Sequence, residues 1–312
     1  MTACAGRPFR GALCFGSCSA GVTLEGLFDD DVRAQVSDLF GQDWLLVYTD
    51  VEPNPQMQVA LSSVIGPLKD HPSKATPRAG GELGVIEIRH EPNQPGRVRL
   101  DGRELSQWLP WHFDHCYNDE LNRAGVLRAV EIPPEGGRTG FVDGIALYDA
   151  ISLELRDQIK NETVLYAMDV VLDNLRFGRP DDFVEVEPSR EAAAVMTEFA
   201  GRPRALHPAV WTRRSGEKVL HVSPWMAKGL AGREGADGDA LLSAVCDEIV
   251  AAAGDLSYFH QWQPTDMVVW DNWRVLHSVS GMLPAATRCM HRTTIQGDYG
   301  LGRFETEQPA RS

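Results

Sequence analysis

Residues 111–119 read WHFDHCYND, a segment with two histidines, two aspartates, a cysteine and a tyrosine. Histidine, aspartate and cysteine are common metal ligands, and histidine and aspartate also move protons. If His112 lies on a strand, side chains two apart share a face, so His112 and Asp114 project together. Phe113 and His115 then point away. A His-x-Asp pair on a strand supplies two of the three ligands of a facial triad for non-haem Fe(II).

A His-x-Asp pair alone is weak support, because such pairs occur by chance in chains of this size, typically as a surface histidine and a loop aspartate. The segment 270–298, WDNWRVLHSVSGMLPAATRCMHRTTIQGD, strengthens the hypothesis. It contains His277 on one strand-like run and Arg288 and Arg292 on a later one. Four residues apart on a strand, the arginines share a face. Arginine binds carboxylates in bidentate fashion, although a surface ion pair is its commoner fate.

The surrounding pattern indicates a mainly β chain with peripheral helices. Helical spacing is found at 29–41, 55–64 and 238–253, and ALYDAISLELRDQIKN is also interpreted as a helix. Most other segments are short and strand-like, without strict βα alternation, and no GxGxxG or GxxxxGK[ST] motif occurs. This favours a β-sandwich or jelly roll over a Rossmann sheet. Residues 173–206 are polar and weakly periodic, and we interpret them as a long excursion or lid.

Composition narrows the function classes. The chain has 312 residues, a net charge of -14 and 43% hydrophobic residues, which suits a globular protein that repels nucleic acid and anionic lipid. Its six cysteines form no CxxC pair, which favours free thiols in a reducing cytoplasm. The N-terminus lacks the apolar core of a signal peptide, and no run of ~18 apolar residues predicts a membrane span. We expect a cytoplasmic protein with neither nucleic acid nor membrane as a partner.

Taken together, the motifs resemble the TauD/TfdA (taurine dioxygenase) family of Fe(II)- and 2-oxoglutarate-dependent oxygenases. In chain order they are WLLVYTDVEP, VALSSVIGPL, WHFD, EIPPEGGRTGFVDGIALYDAIS, HPAVWTRRSGEKVLHVS, WDNWRVLHSV and RCMHRTTIQGD. The resemblance spans roughly residues 22–298. It implies a double-stranded β-helix (jelly roll), and we take residues 1–312 as one oxygenase domain.

The resemblance also implies roles for individual residues. His112, Asp114 and His277 match the iron ligands, and Thr139 and Arg288 match the positions that hold the distal carboxylate of 2-oxoglutarate. Iron, 2-oxoglutarate and dioxygen would then oxidise a substrate C–H bond, releasing succinate and CO2. An aspartate ligand favours hydroxylation-type chemistry over halogenation. A homo-oligomer would fit the family.

Substrate contacts are the next set of expectations. Arg292 matches an arginine that holds the acidic group of the substrate in some relatives, and His71 lies near another such region. Tyr117 and Trp108 are candidate pocket residues, and the tryptophans indicate an apolar part of the substrate. His115 is either a loop or core histidine or a pocket residue. Cys116 is expected to pack rather than react.

Three functions compete. The first is a 2-oxoglutarate-dependent dioxygenase acting on a small, anionic and partly apolar acid, or a natural-product tailoring oxygenase of the same chemistry. The second is a non-enzymatic metal-binding jelly-roll module, against which the complete ligand set and both arginines argue. The third is a cosubstrate-free iron or zinc enzyme, which usually lacks an arginine eleven residues after its last histidine ligand. Neither the substrate nor the choice between hydroxylation and desaturation follows from the sequence.

Overall fold

The computed structural model describes residues 17–20, 22–79 and 84–306. The predictions that concern the N-terminus, including Cys4 and Cys14 as free thiols and no signal peptide, lie outside these residues. Cys116, Cys246 and Cys289 are free and buried, as predicted. In the described part of the chain, no helix is both long and apolar enough to cross a membrane.

Strands predominate among the described residues. They are β1 (Ser17–Ala20), β2 (Leu45–Thr49), β3 (Leu68–Lys69), β4 (Val85–His90), β5 (Arg97–Leu100), β6 (Arg103–His112), β7 (Ala124–Glu131), β8 (Thr139–Asp143), β9 (Thr163–Tyr166), β10 (Val184–Glu187), β11 (Ala205–Pro208), β12 (Val210–Thr212), β13 (Lys218–Leu220), β14 (Ala227–Leu230), β15 (Tyr258–His260), β16 (Met267–Asp271), β17 (Val275–Met282), β18 (Arg288–Ile295) and β19 (Arg303–Phe304). The α-helices are α1 (Asp30–Gln42), α2 (Pro55–Ile65), α3 (Gly144–Ala150), α4 (Leu153–Ile159), α5 (Ala192–Phe199) and α6 (Ala236–Leu256), with 3-10 turns at Gly26–Phe28 and Leu172–Asn174. The mainly β class with peripheral helices is therefore confirmed.

Two large sheets form the scaffold. The first has the order β1-β2-β16-β7-β18-β3, with β4 also paired to β18, and the second has the order β10-β5-β6-β17-β8-β15. Apart from the parallel pair β1–β2, all of their pairings are antiparallel. Smaller sheets, β14-β9-β11-β19 and β12-β13, complete the strand pairing. The two large sheets both contribute residues to the walls of one cavity. Two sheets that enclose a cavity in this way have the layout of a jelly roll, here without a closed barrel.

Helices α1 and α2 begin where local chemistry favours a helix start. The Asp29 carboxylate accepts hydrogen bonds from the Asp31 and Val32 amides, and Asn54 caps α2 ahead of Pro55. The buried faces of the two helices pack on the first sheet, where their apolar side chains join those of β2, β7 and β16. Each fully buried aliphatic side chain contributes about 1.5–3 kcal/mol.

One sequence prediction needs correction. The predicted single helix over ALYDAISLELRDQIKN is two helices, α3 and α4, because Ile151 is extended and the Ser152 hydroxyl accepts from the Leu155 amide to start a new helix.

The segment 173–206, interpreted from the sequence as a long excursion or lid, has regular structure of its own. It contains β10, which pairs with β5, and α5, whose Val195 and Phe199 are buried in the core.

Candidate active site

Strand register brings the two candidate histidine ligands together. His112 is the last residue of β6, and it lies directly opposite His277 on β17. Their ring centroids are 4.1 Å apart. The third candidate, Asp114, lies in the turn that follows β6, so strand alternation is not what places it beside His112. One ligand atom from each of the three residues lies within 4.8 Å of the others, and all three side chains are buried.

Both histidines are in a state that can bind a metal. The His112 Nδ1 lies 2.7 Å from the Pro110 carbonyl, which can only accept, so Nδ1 carries the hydrogen and Nε2 keeps its lone pair. Burial lowers the pKa of His112 and of His277, which keeps the rings neutral. Burial opposes ionisation of Asp114, but the Arg292 guanidinium and the neighbouring histidines together outweigh it and hold the pKa of that carboxyl well below its usual range.

One oxygen of the Asp114 carboxylate is available to bind a metal. Its Oδ1 accepts from Arg292 at 2.7 Å, whereas Oδ2 is buried without a hydrogen-bond partner. A buried carboxylate oxygen without a partner is costly unless a cation binds it. Two neutral imidazoles and a carboxylate are the donor set of a non-haem Fe(II) centre and leave coordination positions open. The residues present therefore fit this metal.

Asn272 is a site residue that the sequence analysis missed. Its Oδ1 accepts from the Asp114 amide at 2.9 Å, and its Nδ2 donates to the Asp114 carbonyl at 3.1 Å. The same Nδ2 lies 3.0 Å from Asn122 Oδ1, and Asn272 is fully buried. The side chain thus fixes the turn that places Asp114. The only sequence signal was an amide residue inside the apolar WDNW run.

Replacing Asn272 with alanine should therefore loosen the Asp114 turn. The change leaves a buried amide and a buried carbonyl of Asp114 without partners, which costs about 1–3 kcal/mol for each unsatisfied group. We expect a lower unfolding free energy by chemical denaturation, together with Fe(II) affinity reduced by roughly 10- to 100-fold, as for other partners that orient metal ligands. An unchanged Fe(II) affinity in a folded variant would show that the turn holds its shape without this side chain.

A cavity of about 500 Å³ lies between the two large sheets and is lined by His112 and His277 of the triad. The residues predicted to act on metal, cosubstrate and substrate that line it are His112, Thr139, His277, Arg288, Arg292 and Trp108. Both arginines and Met290 project from β18 into this space, as the predicted shared face requires.

Arg288 is a buried cation without a carboxylate. Its side chain is only 3% exposed, and within the described residues no acidic group forms an ion pair with it. Burial lowers its pKa to about 10, so it remains charged near neutrality. A buried guanidinium is normally paired, so this position suits a bound anion. Thr139 also lines the cavity, and its hydroxyl oxygen accepts from Trp262 at 3.2 Å, which leaves its own hydrogen to donate.

Of the predicted substrate residues, Trp108 lines the cavity and Tyr117 does not. Trp108 packs against Phe183, with ring centroids 4.9 Å apart. Tyr117 is buried in the core, edge-on to Phe199 at 5.2 Å, and is not among the residues that line the cavity, in contrast to the pocket prediction. Trp225 was not predicted, yet it lines the cavity with its ring 4.8 Å from that of His112.

Behind the triad, His71 and His115 form an edge-to-face pair with centroids 5.4 Å apart. Neither is among the residues that line the cavity. Burial and the Arg292 guanidinium lower the pKa of His71 to about 4. His115 has φ +61°, is buried, and has no hydrogen-bond partner for either ring nitrogen. Burial raises the pKa of the neighbouring Cys116 thiol, which agrees with packing rather than reactivity.

Comparison with known proteins identifies the family. The sequence model described as "Taurine catabolism dioxygenase TauD, TfdA family" matches residues 6–294. The chain belongs to the TauD/TfdA family. It is 30% identical over 248 residues to pentalenolactone F synthase from Streptomyces arenae, covering 75% of this chain and 78% of that protein. It is 26% identical over 294 residues to (S)-phenoxypropionate/alpha-ketoglutarate-dioxygenase from Sphingobium herbicidovorans, covering 91% of this chain and 92% of that protein.

The solved structures agree on the fold. A taurine dioxygenase from Burkholderia xenovorans superposes with a TM-score of 0.64 at 22% identity, covering 91% of this chain and 88% of that chain. The predicted jelly roll is confirmed. As a TauD/TfdA protein with a His-Asp-His site, the chain is a 2-oxoglutarate-dependent non-haem iron dioxygenase that uses Fe(II), 2-oxoglutarate, dioxygen and a small-molecule substrate.

Proposed function

We propose that the enzyme oxidises a C–H bond of a small, anionic and partly apolar organic acid, with release of succinate and CO2. His112, Asp114 and His277 hold the iron, and Arg288 and Thr139 hold the distal carboxylate of 2-oxoglutarate. The observation that carries this proposal is one cavity lined both by His112 and His277 of the ligand triad and by a buried guanidinium that has no carboxylate partner among the described residues.

Each group of the chain has a defined task in this reaction. The two neutral imidazoles and Asp114 Oδ2 supply the three protein ligands, while Arg292 keeps Oδ1 occupied. Arg288 donates to the cosubstrate carboxylate, and the Thr139 hydroxyl donates beside it. Iron supplies the oxidation itself, with dioxygen as oxidant and 2-oxoglutarate as the co-reductant. The cavity walls hold the substrate beside the metal.

Two features support the substrate class. The cavity wall contains Trp108, Trp225 and Leu172, which suit an apolar body. Arg292 lines the same cavity and donates to Asp114 through NH1, and among the described residues its Nε has no hydrogen-bond partner. We propose that the substrate acid is held by the side of Arg292 that lines the cavity, without the predicted contact from His71, which does not line it. Arg292 then serves both the ligand carboxylate and the substrate, a double role that its sequence position did not indicate.

We further propose that part of the segment 173–206 covers the cavity. Glu185, Ser189, Arg190 and Glu191 from this segment all line it. The β10–β5 pairing and the buried face of α5 attach the two ends of this part of the segment to the fold, so we propose that the cover is the stretch between them, which contains Ser189, Arg190 and Glu191.

A tailoring oxygenase of natural-product biosynthesis is the second candidate. Its support is the 30% identity to pentalenolactone F synthase together with the apolar wall. In that case the acid would sit on a larger apolar framework, and hydroxylation or desaturation are both open outcomes. The iron and cosubstrate contacts would be the same.

A screen for succinate release tests the substrate class. We expect turnover with aryloxyalkanoic acids or larger cyclic organic acids and none with their methyl esters, because the ester removes the charge that faces Arg292. Mass spectrometry of each product distinguishes a gain of one oxygen from a loss of two hydrogens. Equal rates for an acid and its ester would contradict anion recognition, while leaving the iron and 2-oxoglutarate chemistry intact.

A further inference from the structure

The guanidinium of Arg288 is held in place by two neutral oxygens. Gln107 Oε1 accepts from NH1 at 2.8 Å, and the Gly137 carbonyl accepts from Nε at 3.2 Å. Because a guanidinium only donates, the Gln107 amide must present its oxygen to it. Gln107 also lines the cavity, so this contact lies at the surface where a cosubstrate would bind.

The backbone of Gln107 is unusual for the middle of a strand. Its φ is +54°, in the left-handed region that glutamine rarely adopts. Its neighbours Ser106 and Trp108 pair with Met282 and Ser280, so Gln107 falls opposite Gly281, which has φ +72°. Such strain persists only where the surroundings impose it, and it clusters at functional sites. Here the turn of the backbone aims the Gln107 amide at Arg288.

Arg288 has enough N–H groups to donate to Gln107 and to a carboxylate at the same time. Arg288 has five N–H groups, of which Gly137 takes the one on Nε and Gln107 takes one on NH1. One N–H on NH1 and two on NH2 remain, enough for a bidentate clasp of a carboxylate. We propose that Gln107 is a positioning residue that orients Arg288 for the distal carboxylate of 2-oxoglutarate. This inference rests on the proposed role of Arg288.

Three substitutions test the proposal. Gln107→Ala removes the acceptor. Gln107→Asn keeps an amide on a residue that tolerates left-handed backbone, but the shorter side chain does not reach Arg288. Gln107→Glu places a carboxylate where it pairs with Arg288 and competes with the cosubstrate. Gln94→Ala is the matched control, because Gln94 lines the cavity without contacting Arg288.

The measurements are the Kd of 2-oxoglutarate by calorimetry on anaerobic Fe(II)-loaded protein, and the KM and kcat for turnover. We expect the Kd to rise about 10-fold for Gln107→Ala and Gln107→Asn, and about 100-fold or more for Gln107→Glu. Saturating 2-oxoglutarate should restore kcat to within about twofold, since only the cosubstrate contact is lost. Gln94→Ala should keep the Kd of the unmodified protein.

Two results would overturn the inference. One is a Kd of 2-oxoglutarate for Gln107→Asn that is equal to or lower than that of the unmodified protein. Gln107 would then have no effect on cosubstrate binding or would compete with it. The other is a Gln107→Glu effect no larger than that of Gln107→Ala. Neither touches the proposed function, which fails separately if Arg288→Ala binds 2-oxoglutarate as tightly as the unmodified protein does.

Discussion

Replacing His112 with alanine is expected to abolish both turnover and Fe(II) binding. His112 supplies one of three buried protein ligands, and its lone pair is already oriented by the Pro110 carbonyl. Loss of an outer partner of a metal ligand costs roughly 10- to 100-fold in affinity, so loss of a ligand should exceed that. Fe(II) binding by anaerobic calorimetry and succinate formation measure the two effects.

His291→Ala is the control for the loss of an imidazole, at a half-buried histidine outside the active site. His291 lies on β18 beside Glu87 and Cys289, a second group whose ligand atoms come within 4.8 Å of one another. Its Nδ1 accepts from Arg128 at 2.9 Å, so its hydrogen is on Nε2 and the ring has no lone pair to offer there. His291→Ala should keep Fe(II) binding at the active site. If folded His112→Ala still bound Fe(II) tightly and His291→Ala did not, the metal site would be the group around His291 instead.

Replacing Arg288 with alanine is expected to weaken 2-oxoglutarate binding far more than it lowers kcat. Truncating one partner of a buried, hydrogen-bonded charge pair costs about 2–5 kcal/mol, which corresponds to roughly 30- to 3,000-fold in Kd. Titration of anaerobic Fe(II)-loaded protein with 2-oxoglutarate gives the Kd, and steady-state assays give KM and kcat. The Kd of Arg288→Lys for 2-oxoglutarate should lie between those of the unmodified protein and Arg288→Ala, because lysine keeps the charge but lacks the planar guanidinium.

The same variant discriminates between reaction classes. A cosubstrate-free dioxygenase on this scaffold would oxidise its substrate without 2-oxoglutarate, and Arg288→Ala would then leave turnover nearly unchanged. Removal of this residue relieves the burial of an unpaired charge when no cosubstrate is bound, which offsets the hydrogen bonds lost by Gln107 and Gly137, so we expect only a small change in the unfolding free energy of the cosubstrate-free protein. If Arg288→Ala were more stable than the unmodified protein and bound 2-oxoglutarate less tightly, Arg288 would contribute to cosubstrate binding and not to stability.

Much of the site could be predicted from the sequence because its parts are carried by regular strands. The shared face of Arg288 and Arg292 follows from a period of two on β18, and both side chains do line the cavity. The same reasoning worked less well for Asp114. It assumed one strand through residues 112–114, whereas β6 ends at His112 and a turn presents the carboxylate.

The residues that sequence reasoning missed act through contacts distant in the chain. Asn272 fixes the Asp114 turn across a separation of 158 residues. Gln107 reaches Arg288 across 181 residues, from a backbone conformation that no local pattern indicates. Tyr117 was predicted for the pocket because of its position after the ligand motif, but the turn directs it into the core beside Phe199.

By itself, the sequence determined the class of the protein: a mainly β chain, a pair of candidate ligands two residues apart, a distant histidine and two arginines on one strand face. These follow from residue type and strand period, which act over a few neighbours. Only the tertiary structure decided which polar atoms are free. Arg292 donates to Asp114, whereas within the described part of the chain Arg288 has no carboxylate partner and Asp114 Oδ2 has no hydrogen-bond partner. The physical reason is that burial and hydrogen-bond saturation depend on groups brought together from across the chain.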